Sequence, residues 1–117
     1  MIRIKRLVKS FQYAGRGLWK VAKEEQNFRV ESTIAAVVIV VALVLQVSRT
    51  DLVILILVSA VVLIMEIVNS AVEAISDALK PKLDIFVKRI KDIVAAGVMV
   101  AALTAVVIGI IIFSQYI

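Results

Sequence analysis

The sequence has no cysteine and no histidine. Without cysteine there is no disulfide, no thiolate metal site and no thiol nucleophile. Without histidine there is no imidazole ligand and no Ser-His-Asp triad. Any metal the chain holds must be hard and oxygen-bound, which means magnesium, manganese or calcium. Proline occurs once, at Pro81. No GxxxxGK[ST] phosphate loop is present, and the fragment Gly15-Arg16-Gly17 carries no weight as a nucleotide motif. Charge is missing from two long stretches, Ser32 to Ser48 and Ile93 to Ile117.

What is present is mostly apolar. Hydrophobic residues make up 62% of 117 residues, and the mean hydropathy is +1.06. A soluble domain of this size is less apolar. The composition predicts one all-α integral membrane domain over residues 1–117. Residues 1–22 carry six basic side chains, and their apolar positions follow helical spacing. This is a basic amphipathic surface helix, suited to an anionic membrane surface or to partner helices. No continuous apolar core follows it, so it is not a signal peptide. Nucleic-acid binding does not suit so apolar a chain.

A polar link, Lys23 to Glu31, leads to the first span at 32–48. Asp51 is a good N-cap type for a second span at 52–79, which Lys80 and Pro81 then stop. That helix is longer than a bilayer core of ~30 Å, so it projects from one side. A charged link over residues 80 to 92 precedes the third span at 93–115. Eight Lys or Arg precede the first span, five lie in the link from 80 to 92, one lies in the turn between spans one and two, and none follows the third. The positive-inside rule predicts an N-in, C-out, multi-pass protein.

The second span ends in a polar stripe. Glu66, Asn69, Glu73 and Asp77 lie at offsets of 0, 3, 7 and 11, which keeps them on one helix face. A helix leaving the membrane would also show water a polar face. That accounts for Asp77, partly for Glu73 and poorly for Glu66, because a carboxylate near membrane depth is costly and normally marks function. About 20 residues from Asp51 reach the inner boundary near residue 70. Glu66 and Asn69 then sit just inside the apolar layer, with Glu73 and Asp77 at the cytoplasmic interface. Glu25 and Glu31 approach the same layer from the first link, and Lys91 and Asp92 from the second.

Glu66 and Glu73 are ~10 Å apart along the axis, too far to grip one ion together. A division of roles is more natural. The desolvated Glu66 suits a general base, and Glu73 suits a hard cation, with a second acid such as Glu25. Lys91 can meet phosphate charge, though a lone lysine here also fits as one more cytoplasmic cation. Such a layer is compatible with phosphoryl transfer to a lipid hydroxyl.

These residues resemble the prokaryotic diacylglycerol kinase family, small three-span lipid kinases that include undecaprenol kinases. The carrying pattern is Glu66-x-x-Asn69-Ser70-Ala71-x-Glu73-x-x-x-Asp77, with Lys91-Asp92 beyond it. Upstream, Tyr13, Gly17-Leu18 and Glu25-x-x-Phe28-Arg29 fit as well. The resemblance implies a homotrimer in the bacterial cytoplasmic membrane, with shared sites facing the cytoplasm. Each site would transfer the γ-phosphate of MgATP to a lipid alcohol, with Mg2+ as cofactor. By position, Glu66 would be the base, and Asn69 and Asp77 would support it. Glu25 and Glu73 would hold the metal. Arg6, Tyr13, Lys91 and Asp92 would contact ATP, with Lys82, Leu83 and Asp84 nearby. Ser10, Phe11, Gln12, Tyr13, Ala14 and Gly15 would border the lipid, as would Arg6. So would Asn27, Phe28, Arg29, Val30 and Glu31, together with Glu66 and Ala95. Glu31 resembles the diacylglycerol branch. Asn27 and residues 91 to 97 resemble the undecaprenol branch.

Two other classes compete. A small proton- or cation-coupled transporter would use Glu66 as carrier, yet three spans are few and the acids lie to one side of the midplane. A scaffold oligomer would use the stripe only for packing.

Overall fold

The computed structural model describes residues 1–79 and 84–117, with Asp84 described by its backbone alone. Four helices follow in order: α1 (Ile4–Glu24), α2 (Gln26–Val44), α3 (Arg49–Leu79) and α4 (Asp84–Ser114). No strand occurs among the described residues. Three helices, α2, α3 and α4, are long and apolar enough to cross a membrane. The chain is a multi-pass membrane protein.

The helices take in more of the polar links than their composition suggests. The link from Lys23 to Glu31 is helical on both sides of a single break at Glu25, which is extended at φ −104° and ψ 110°. Asp84 to Asp92 are already helical and extend α4 ahead of its uncharged run. α3 starts two residues before Asp51. Its cap is Ser48, whose Oγ accepts from the Asp51 N–H at 3.1 Å and whose carbonyl accepts from the Leu52 N–H at 2.9 Å.

The turn from α2 to α3 closes without glycine. Val47 N–H donates to the Ala42 carbonyl and Gln46 N–H to that of Leu43. This paired bonding needs a left-handed residue, here Gln46 at φ 55°. At the same end Ala42, Leu55 and Ile112 form a buried cluster, with Tyr116 packed against it. The Tyr116 hydroxyl donates to Asp51 Oδ2 at 2.8 Å and accepts from the Ser48 N–H at 3.0 Å. The chain's last turn is thereby tied to the first turn of α3.

α3 is the central element and packs along α4 and α2. Near its middle, a Cβ on Gly97 would lie 2.7 Å from Met65 Cε. Glycine there lets α4 approach α3 beside Glu66. α1 buries nothing, and its Leu7, Phe11, Leu18 and Trp19 are all exposed.

Candidate active site

The polar stripe of α3 meets the break between α1 and α2. Glu66 is 3% exposed, the deepest acid among the described residues. Asn69, Ser70 and Glu73 are half-buried, and Asp77 is exposed. Exposure rises along the stripe from Glu66 to Asp77. Ser76, at the edge of the stripe beside Asn69, is buried as well.

Three further acids converge on Glu66. The carboxyl of Glu31, on α2, lies within hydrogen-bonding reach of Glu66. The Glu31 Oε2 is buried with no donor. Glu25 and Glu73 are both near enough for their charges to act on Glu66. Ser70 Oγ donates to Glu25 Oε1 at 3.4 Å, a long bond that links α3 to the break. Glu31 thus lies beside Glu66, while Glu25 and Glu73 stand farther off and reach it through their charge.

Glu25 and Glu73 supply hard oxygen donors, the chemistry a divalent magnesium ion requires. No cage of three or more acidic side chains exists among the described residues. Mg2+ held together with nucleotide phosphates needs only one or two carboxylates, because phosphate and water complete its octahedron. The donor set therefore fits the ion.

An open apolar trough of about 430 Å³ begins at Glu31 and runs between α2, α3 and α4 to Phe113. Its other lining residues include Val38, Val62, Ala105 and Gly109. It leads from the acidic group toward the opposite end of the spans.

The remaining sequence-predicted residues are dispersed. Arg6, Ser10, Phe11, Gln12, Tyr13, Ala14 and Gly15 are exposed along α1. The Arg16 guanidinium lies 5.9 Å from the centre of the Tyr13 ring, and Ser10 Oγ donates to the Arg6 carbonyl. Asn27 and Val30 are exposed, while Phe28 is buried. Arg29 turns its guanidinium back to α1 and donates from Nη1 to the carbonyls of Ala22 and Lys23. On α4, Lys91 is half-buried, and Ala95 and Asp92 are exposed. Asp92 lines an open depression with Lys88 and Arg89, formed by α4 alone. Among the described residues, no hydrogen bond joins Lys91 or Asp92 to the four acids. Lys82 and Leu83 lie outside the described residues, and so does the side chain of Asp84.

The sequence pattern did not pair Glu31 with Glu66, nor Ser70 with Glu25. Ser70 follows Glu66 by four residues on the same stripe, so its position was the available signal.

The chain is similar in sequence to known proteins. The sequence profile described as prokaryotic diacylglycerol kinase matches residues 12–113. An undecaprenol kinase of Bacillus subtilis is 32% identical over 110 residues, 94% of this chain and 89% of that protein. The diacylglycerol kinase of Escherichia coli K12 is 33% identical over 102 residues, 87% of this chain and 84% of that protein. A diacylglycerol kinase of Synechocystis is 32% identical over 104 residues, and the match spans only 59% of its length. With a buried carboxyl group set among three others and a profile match over most of its length, the chain belongs to the prokaryotic diacylglycerol kinase family.

Proposed function

We propose that this protein transfers the γ-phosphate of ATP to the hydroxyl of diacylglycerol, giving phosphatidic acid, at the cytoplasmic face of a bacterial membrane. One observation carries the reading: a buried Glu66 stands among Glu25, Glu31 and Glu73 where α3 meets the α1–α2 break. A buried carboxylate is a poor group for packing alone and a good one for taking a proton.

In this reading the lipid hydroxyl reaches Glu66, which accepts its proton. The hydroxyl oxygen then bonds to the γ-phosphorus, and the bond from that phosphorus to the β–γ bridging oxygen breaks, releasing ADP. Positioning and charge neutralisation supply most of the rate. Glu25 and Glu73 would hold Mg2+, which when bound would neutralise phosphate charge. Arg6, Tyr13, Lys91 and Asp92 contact the nucleotide, with residues 82 to 84 beside them. Asn69 and Asp77 hold the stripe in register. The face of α1 from Ser10 to Gly15, the α1–α2 bend and Ala95 border the lipid. The apolar trough that begins at Glu31 suits the lipid's tail. The basic residues of α1 and of residues 80 to 92 favour the cytoplasmic side for this end of the molecule.

Undecaprenol is the second acceptor to consider. The relatives named for the two lipids match this chain at 32% and 33% identity, which favours neither. Purified protein with MgATP, offered diacylglycerol and undecaprenol side by side, tests the proposal. Phosphatidic acid is the expected product. Undecaprenyl phosphate alone would change the acceptor. Ion flux in proteoliposomes without ATP consumption would sink the kinase reading and favour a transporter.

A further inference from the structure

Arg29 stands where a cation is unfavourable for its own helix. It is the fourth residue of α2, next to the positive end of that helix's dipole, where the acid is the N-cap Glu25 and not a residue of the first turn. Its guanidinium points the other way. Nη1 donates to the Ala22 carbonyl at 2.9 Å and to the Lys23 carbonyl at 2.7 Å. In an unbroken helix these carbonyls would accept from the N–H groups of Gln26 and Asn27. The extended conformation of Glu25 removes that possibility and orphans both carbonyls at the C-terminus of α1. One planar donor with two N–H groups replaces both lost bonds and places positive charge at the negative end of α1.

Glu25 is the residue at the break, and Arg29 also donates its backbone N–H to the Glu25 carbonyl at 3.3 Å. On its far side Glu25 accepts from Ser70 of α3. We infer that Arg29 is a positioning residue: its cap fixes the α1–α2 bend and so holds the Glu25 carboxylate against the stripe of α3. This goes beyond the proposed kinase reading and rests on it only for the role of Glu25 toward Mg2+.

The test uses the full chain, whose lack of cysteine permits clean labelling. Spin labels at Leu7→Cys on α1 and Val40→Cys on α2, in labelled chains diluted with unlabelled ones, report the bend directly. Arg29→Ala should broaden the distance distribution. It should also raise the Mg2+ concentration for half-maximal activity by about ten-fold, equivalent to ~1.4 kcal/mol, with the lipid KM unchanged. Arg29→Lys keeps the charge but loses the planar fork, and should fall between the two even if Arg29→Ala does not fold. An unchanged distance distribution overturns the inference. So does a broadened one with unchanged Mg2+ dependence, and so does a raised lipid KM as the main effect. If the unsubstituted protein proves inactive toward both lipids, the kinase reading fails, while the label distances still decide whether Arg29 sets the bend.

Discussion

At the scale of single residues, the four carboxyl groups divide by depth and by helix. Glu66 is buried, whereas Glu73 is half-buried; in the proposed reading the first takes the proton and the second holds the ion. Glu66→Gln keeps the shape and removes the base. It should lower kcat by roughly 10²–10⁴-fold, with the Mg2+ dependence of the residual rate unchanged. Glu73→Gln should instead shift the Mg2+ dependence to higher concentration. Steady-state kinetics over a magnesium series separates the two, and full activity in both variants would remove the proposed site. The stripe was legible in the sequence because one helix period fixes which residues share a face. The pairing of Glu31 with Glu66 was not, because it joins side chains 35 positions apart on different helices. Ser70 and Glu25, 45 positions apart, were hidden for the same reason.

At the scale of elements, the number and order of helices could be read from the uncharged runs and the placement of charge. The ends could not. Nothing between Lys23 and Glu31 is a glycine or proline, so composition marks a connector without locating the break at Glu25. The bonds that make the break tolerable come from Arg29, which sequence periodicity treats as one more polar residue. The outer turn is a second case. Asp51 looked like the cap of α3, but the cap is Ser48, and Asp51 instead accepts from Tyr116. Tyr116→Phe removes two hydrogen bonds, the charge-assisted one to Asp51 at a partly buried position and the one from the exposed Ser48 N–H. It should cost about 1 kcal/mol of stability and leave kcat unchanged, since the acids lie at the other end of α3. Thermal unfolding in detergent together with an activity assay checks both halves. A fall in kcat at unchanged stability would show that the two ends of α3 are coupled.

At the scale of the whole molecule, a single chain keeps its clustered acids apart from the charged groups of α4. The acids of α2 and α3 gather around Glu66, yet Asp92 faces a depression made by α4 alone. Much of the surface of α2 and α4, and one face of α1, is exposed and apolar. In a membrane some of that surface meets lipid. The separation of acidic and basic groups favours a neighbouring chain for the rest, in line with a homotrimer. A cyclic trimer in which each site takes Glu66 from one chain and Lys91 from the next makes a quantitative prediction. Glu66→Gln and Lys91→Ala are each expected to be inactive. Refolded together at equal amounts, they should regain activity at about one quarter of the sites, because a working site needs an intact residue from each of two adjacent chains. Sites built within one chain would regain nothing, since every chain then carries one lesion in its own site. The recovered specific activity of the mixture, measured against each parent alone, distinguishes the two arrangements.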